Sequence, residues 1–561
     1  MKEGKQRQWD AGKQDITSFP VSEVREAQKA KIMLPCVIVV FVLLSCACGE
    51  NPAVQVILTN KGLQYGKHEG TGWIQEKLEQ ITLPDISGSV NIYIGRVDYT
   101  LSGVTITKCD LPEPSVEFVQ QRGLTTSIAG LSFALTGEWR TRFYGIHDSG
   151  SFNMAIFNID VTSDVQLGSD AGGHLSVSSI NCKASVGDVA IQFSGGARYR
   201  ETPPKQNKNK QRDLSTPLRC QDVKSVFFYV HSLIFQPFVK CFKGHIIGKI
   251  QSQICTEVEN SIMSLDHHLQ AMNVSFDVNE VLNFDVPLTG IPDIEPSNMK
   301  LGFKGEFNSI KTHKEPPFVA QEFILPELAG YMLSVGISEF TLNSASFGYF
   351  SAGELQALIN DSMIPPYIPF RLNTSSMGAF IPQLPKMYPG LLMNLQVNAR
   401  EAPVFSFQPG SGILDVHIVI KTTAIEANGT QVPLFTLYID SSFTSKMMIA
   451  DGKLKGSVMF DKYALNMYQN EIFDTQMGPS EIGVFMTDAL ERGIKSGMRM
   501  ALAKLNAKLG EGIILPRMKH AQLVNTVLKM EKGFVAIYSD VQTLLTDRSS
   551  YLSTSYLSEK L

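Results

Sequence analysis

No catalytic motif interrupts this sequence. A G-x-S-x-G nucleophile elbow is absent, and Gly62–Gly72 (GLQYGKHEGTG) holds glycines and a lysine without the spacing of a phosphate loop. His267 and His268 are adjacent, so they cannot share one helix face as two metal ligands would. There is no CxxC pair and no Cys/His cluster with zinc spacing, so neither metal nor cofactor is expected. Charged residues make up only 19% of the chain, which excludes a disordered or coiled-coil protein. Beyond Cys48 no segment is long and apolar enough for a membrane-spanning helix. A non-enzymatic protein is the expectation.

What is present begins with an export signal. Leu34–Cys48 is an uncharged apolar run, short of the roughly 20 residues that a span needs. Lys29 and Lys31 precede it and small residues follow, so it reads as a signal peptide over 33–49, cleaved near Gly49. Residues 1–32 read as an upstream extension that does not belong to the fold. Export permits disulfides, and five cysteines remain: Cys109, Cys182, Cys220, Cys241 and Cys255. The odd count leaves at least one unpaired. Sequons at Asn273, Asn360, Asn373 and Asn428 suit a secreted glycoprotein. After cleavage the chain holds 43 basic and 49 acidic residues, a formal −6 that favours neither nucleic acid nor a cation partner.

Two halves follow one plan. Residues 53–81 read as a helix, with Leu63, Gly66, Gly70, Ile74 and Leu78 near four-residue spacing. Its glycines each cost about 1 kcal/mol against alanine, which reads either as a poorly formed helix or as a face that something approaches closely. Period-two alternation then marks antiparallel strands around 91–106, 131–139 and 152–161. Residues 198–231 are basic, polar and aperiodic, and read as an insert or a long disordered loop. A second helix carries Ile246, Ile250, Ile254, Val258 and Ile262 on one stripe. Pro-rich turns make 291–310 the expected linker between domains at 50–290 and 311–547, with 548–561 as a tail. The second half is expected to hold strands at 328–350, a short helix at 352–360, strands at 392–466 and a long helix at about 480–509. ITLP at Ile81 and IILP at Ile513 each follow a long helix, which suggests duplication.

The residues also resemble a known family. Asn51–Gly70 (NPAVQVILTNKGLQYGKHEG) is similar to the mature start of the bactericidal/permeability-increasing protein and lipopolysaccharide-binding protein family. LPDISGS, LTGEW, SGSFNMAI and VQLGSD continue the likeness, as do Asn360–Leu372 (NDSMIPPYIPFRL), GVFMTDALE and Ile514–Met530. It runs from Asn51 to about Asp547, interrupted chiefly by 198–231. The resemblance implies an α+β fold: an elongated boomerang of two similar domains, each a twisted antiparallel β-barrel with long amphipathic helices, joined by a central sheet. It implies a disulfide between Cys182 and Cys255, and phospholipid held in an apolar pocket. Leu63, Gly66, Gly70, Ile74, Ile246, Ile250 and Ile254 are the candidate lining of that pocket.

The resemblance further implies a partner, lipopolysaccharide of Gram-negative bacteria and the outer-membrane surface that bears it. The matching strands hold Arg96, Arg140 and Arg142, with Lys108 nearby, as candidates to meet its phosphates; a solvated strand surface is the alternative reading of the three arginines. Asn91, Tyr93 and Glu138 stand where strongly cationic members are basic. The insert supplies 8 basic and 3 acidic residues, so without it the mature chain would be −11. Capture and delivery therefore stand beside direct killing as modes of an innate-immunity role. A phospholipid or sterol-ester transfer protein of the same superfamily is the alternative, and an esterase with a lipid pocket a more distant one.

Overall fold

The computed structural model describes residues 51–78, 82–83, 85–92, 95–143, 146–195, 232–364, 366, 370–466, 486–514 and 521–544. The expected signal peptide at 33–49, the expected extension before it, the expected insert or loop at 198–231 and the expected tail at 548–561 lie outside the described residues.

Strand β1 (Val54–Thr59) runs directly into helix α1 (Asn60–Leu78). The N-terminal sheet follows as β2 (Ile86–Ile92), β3 (Gly95–Asp110), β4 (Gly123–Phe143), β5 (Ile146–Ser169) and β6 (Leu175–Gly195), and then comes the long helix α2 (Ser232–Gln270). β7 (Asn298–Phe303) and β8 (Leu333–Ser338) return to the middle of the molecule, and β8 runs directly into α3 (Glu339–Ser351). The C-terminal sheet holds β9 (Leu392–Ala399), β10 (Val404–Gln408), β11 (Ser411–Ile425), β12 (Gln431–Ala450) and β13 (Lys453–Asn466). Helix α4 (Thr487–Glu511) and strands β14 (Ala521–Glu531) and β15 (Phe534–Thr543) complete the chain.

Among the described residues there are two seven-stranded antiparallel sheets, one in each half. Between them a six-stranded sheet has the order 293–294, β7, β1, β8, β15, β14, so it draws strands from both halves. Register shifts at Ser102/Thr105, Ile106/Lys108 and Ile128/Leu131 bulge the N-terminal strands. The C-terminal sheet shifts at Thr422/Thr423 and Ser442/Phe443. Each bulge bends its strand and increases the twist, which is how long strands curl around a core.

The alternation read from the sequence explains which side is buried. Tyr99, Leu101, Trp139, Phe152 and Ile156 point inward, where α2 meets them with Ile250, Ile254 and Val258. The C-terminal core is built from Ile381, Leu384, Met393, Leu434 and Leu437, with Leu490 and Ile494 of α4 against it. Each long helix also covers the exposed edge of its sheet with a polar side chain. Asp266 of α2 accepts the Val177 amide of edge strand β6 at 2.8 Å. Asn506 of α4 accepts the Val458 amide of β13 at 2.8 Å and donates to its carbonyl at 2.9 Å. Covering an edge in this way satisfies its backbone and blocks pairing with another chain.

Four sequence readings change. Residues 54–59 are a strand, not the start of a helix. β1 is paired on both sides, by β7 and β8, so its apolar run VQVILT reflects a buried central strand. The short helix lies at 339–351, and 356–360 is a strand. Residues 291–310 are not a bare linker. They carry strands 293–294, β7 and 306–309, and their prolines fall between strands. The irregular segment instead lies between 310 and 332. It crosses the central sheet, held by Gln55, which donates to the Phe323 carbonyl at 2.7 Å, and by Phe323 stacked on Phe534 at 4.7 Å. Finally, the duplication aligns differently. β1–α1 corresponds to β8–α3, each a central strand feeding a helix, so α1 matches α3 rather than α4.

Candidate functional site

The register of the N-terminal sheet gathers three of the four basic candidates. Asp98 lies opposite Arg142, and Thr100 opposite Arg140. Arg96, Asp98, Glu138, Arg140 and Arg142 therefore share the outer face at one end of β3 and β4, because side chains two apart on a strand point the same way. The neighbours continue this polar surface: His147 lies opposite Arg142 and Ser149 opposite Arg140 on β5. The inner face at the same level is apolar, with Tyr99 and Leu101 on β3 and Trp139 on β4. Burial raises the Tyr99 phenol above its ordinary pKa.

Lys108 does not join them. It is exposed and lies opposite Ala134. Twelve residues along β3 separate it from Arg96, roughly 40 Å at strand spacing.

Carboxylates interrupt the cationic face. Arg96 Nε donates to Asp98 Oδ1 at 2.9 Å, with the two side chains 68% and 52% exposed. Arg140 Nη2 lies 3.8 Å from Glu138 Oε2, and these are 70% and 69% exposed. Three guanidinium groups and two carboxylates leave a local formal charge of +1. Asp98 was not singled out by sequence reading. Its place opposite Arg142 emerges only from the strand register.

The pocket candidates separate. Ile250 and Ile254 of α2 pack into the core of the N-terminal sheet. Leu63 of α1 packs instead with Phe118, Ile294 and Met299, a different cluster. The side chains of Ile74 and Ile246 lie outside the described residues. A Cβ at Gly66 or Gly70 would meet no protein atom within 4 Å. The α1 glycine that a close approach demands is Gly62, where a Cβ would stand 2.7 Å from the Met332 carbonyl oxygen. That contact joins elements distant in sequence, so spacing along the helix gave no sign of it. Beside Gly66, Lys67 bonds Glu113 at 3.0 Å and holds its carboxyl below the usual range.

Cys182 of β6 and Cys255 of α2 are disulfide-bonded, with Cα atoms 5.6 Å apart. Cys109 is buried in the same core. Cys220 and the side chain of Cys241 lie outside the described residues. Asn273 is exposed just past α2, and Asn428 is exposed in the β11–β12 turn, where it accepts the Thr430 amide at 2.8 Å. Asn360 and Asn373 are half-buried. The Asn373 side chain caps the short helix at 374–377 by accepting the Ser376 amide at 2.8 Å.

Comparison with known proteins fits this architecture. A model of the LBP / BPI / CETP family N-terminal domain matches residues 62–272, and one of the C-terminal domain matches 276–543. The chain belongs to the LBP / BPI / CETP family. It is 33% identical over 514 residues to a bactericidal permeability-increasing protein of Sebastes schlegelii, covering 91% of this chain and 99% of that one. It is 28% identical over 515 residues to the lipopolysaccharide-binding protein of Homo sapiens, covering 91% and 98%. A crystal structure of lipopolysaccharide binding protein shares the family fold, with a TM-score of 0.50 at 23% identity over 88% of this chain and 100% of that one.

Proposed function

We propose that this family member is a secreted, non-enzymatic protein of innate immunity that captures lipopolysaccharide of Gram-negative bacteria. Relatives of nearly equal length are named for lipopolysaccharide binding and for bactericidal action. The observation that carries the reading is the set of Arg96, Arg140 and Arg142 on one exposed face at the end of the N-terminal sheet. Guanidinium groups bind phosphate through paired hydrogen bonds, so such a face fits the phosphates of lipid A. The apolar interior between that sheet and α2, where Ile250 and Ile254 lie, is the proposed seat for acyl chains or phospholipid. Lys108 is too far along β3 to serve the same phosphate group, so its contribution is to general attraction.

Asp98 and Glu138 favour capture over killing. Disrupting an anionic outer membrane calls for dense positive charge, and this face carries a net +1. The same two acids support the second reading, transfer of phospholipid between particles. Titration with labelled endotoxin separates the two. Replacing Arg96, Arg140 and Arg142 together with glutamine weakens binding under the first reading. Absent endotoxin binding, or binding indifferent to the substitution together with fast phospholipid transfer, supports the second.

A further inference from the structure

The arginine face extends one strand further than its arginines. The register of β2 to β5 sets Ser89, Asp98, Arg142 and His147 side by side in one row. Ser87, Thr100, Arg140 and Ser149 form the next. Side chains two apart on a strand share a face, so His147 stands on the same outer surface as the arginines. Both His147 and Arg142 are exposed.

These two groups are uncommitted, and their neighbours are not. The Asp98 carboxylate accepts from Arg96 at 2.9 Å, and Glu138 lies 3.8 Å from Arg140 Nη2. Arg142 and His147 have no ion pair or side-chain hydrogen bond among the described residues. Asp148, next to His147, lies opposite Thr141, which is itself opposite buried Tyr99, so it belongs to the inner face. Its Oδ1 accepts the Ser149 amide at 2.9 Å. On the β6 side the ladder ends at Gly150 and Gly195, so no described strand residue lies opposite His147 there.

Opposite residues on neighbouring strands stand about 5 Å apart at Cα. That spacing lets one phosphate lie between two cationic side chains. A guanidinium offers it a paired contact and an imidazolium a single N–H. Histidine is the side chain whose charge ordinarily changes between about pH 5 and 8. While the face is empty, Arg142 repels a charged His147, because like charges directly opposite are unfavourable. A phosphate between them replaces that repulsion with two attractions. Proton binding and phosphate binding therefore reinforce each other. We propose that His147 makes lipopolysaccharide capture proton-dependent, its imidazolium joining Arg142 on one phosphate as pH falls. This rests on the reading of the arginine face as the phosphate site.

The test is titration of the full chain with fluorescent lipopolysaccharide at about pH 8 and about pH 5.5, at one low ionic strength. The phosphates of the ligand also gain protons in this range, so each variant is compared with the unsubstituted chain at the same pH. Relative to His147→Gln, the unsubstituted chain should gain about threefold in affinity from the higher pH to the lower, the worth of one exposed charge contact. His147→Lys, charged at both, should bind about threefold more tightly than the unsubstituted chain at the higher pH and lose that advantage at the lower. A constant ratio between the unsubstituted chain and His147→Gln overturns the inference, because a neutral contact does not vary with protons. So does a His147→Lys chain that binds no more tightly at the higher pH. The combined Arg96→Gln, Arg140→Gln and Arg142→Gln substitution separates the two failures. If it weakens binding at the higher pH while the His147 comparisons stay flat, the face is the phosphate site and the proton dependence is wrong. If it has no effect, the phosphate reading fails and this inference with it.

Discussion

Neutralising the two acids of the arginine face, with Asp98→Asn and Glu138→Gln together, is predicted to tighten lipopolysaccharide binding. Asp98 holds Arg96 at 2.9 Å and Glu138 approaches Arg140 at 3.8 Å, with all four side chains more than half exposed. Unit charges about 4 Å apart in water interact by about 1 kcal/mol. Exposed pairs measure about 0.2–1 kcal/mol once entropy is counted. Each acid both occupies a guanidinium and repels an incoming phosphate. Removing both takes the face from +1 to +3 and should gain roughly 0.4–2 kcal/mol, about 2- to 25-fold in affinity. The assay is titration of fluorescent lipopolysaccharide at low salt and again at about 1 M salt, where the screening length falls to about 3 Å. The gain should nearly vanish at high salt, and stability should move by no more than about 0.5 kcal/mol. Unchanged or weaker binding at low salt, or a gain that survives high salt, would refute the electrostatic reasoning.

Other consequences concern the scaffold. Replacing Cys182 and Cys255 with alanine opens a link across 73 residues, and chain entropy puts the loss at about 4 kcal/mol in denaturant unfolding followed by circular dichroism. A loss below about 1 kcal/mol would mean that Asp266 and the isoleucine stripe hold α2 without it. Asn506→Ala leaves the Val458 amide and carbonyl at the β13 edge without their partner, and should cost about 1–3 kcal/mol in the same measurement. Asp361 is hydrogen-bonded by Arg371 and by the Leu372 amide, which hold its carboxyl below the usual range. A depressed folded value means that this contribution is present above the unfolded pKa and lost as pH falls through the folded one. Hydrogen exchange at Leu372, corrected for the intrinsic rate, should lose protection only as pH drops below the ordinary aspartate value of about 4, and Asp361→Asn should abolish that step.

The strands of the N-terminal sheet were legible because one face is buried and the other wet, so residues 95–106 and 152–161 alternate. The α2 stripe was legible because Ile250, Ile254 and Val258 face one core. β1 was not, because a strand paired on both sides loses alternation and its apolar run joins smoothly onto α1. α3 was misplaced because its buried positions include Thr341, Ser344, Ser346 and Gly348, a face with no apolar periodicity. Arg96, Arg140 and Arg142 were readable one by one from the resemblance. Their shared face with Asp98, and the distance of Lys108, follow from strand register. Gly62 owes its role to the Met332 carbonyl, far away in sequence, which no local pattern reports.

The most direct test of lipopolysaccharide capture at this face is equilibrium binding of labelled lipopolysaccharide to the chain carrying Arg96→Gln, Arg140→Gln and Arg142→Gln together, with Lys108→Gln alone as the comparison. Binding about tenfold weaker is expected for the triple substitution, the middle of the roughly 0.4–3 kcal/mol that two or three exposed phosphate contacts supply, with little change for Lys108→Gln. Unchanged affinity in the triple substitution, with the fold intact by circular dichroism, would contradict capture at this face.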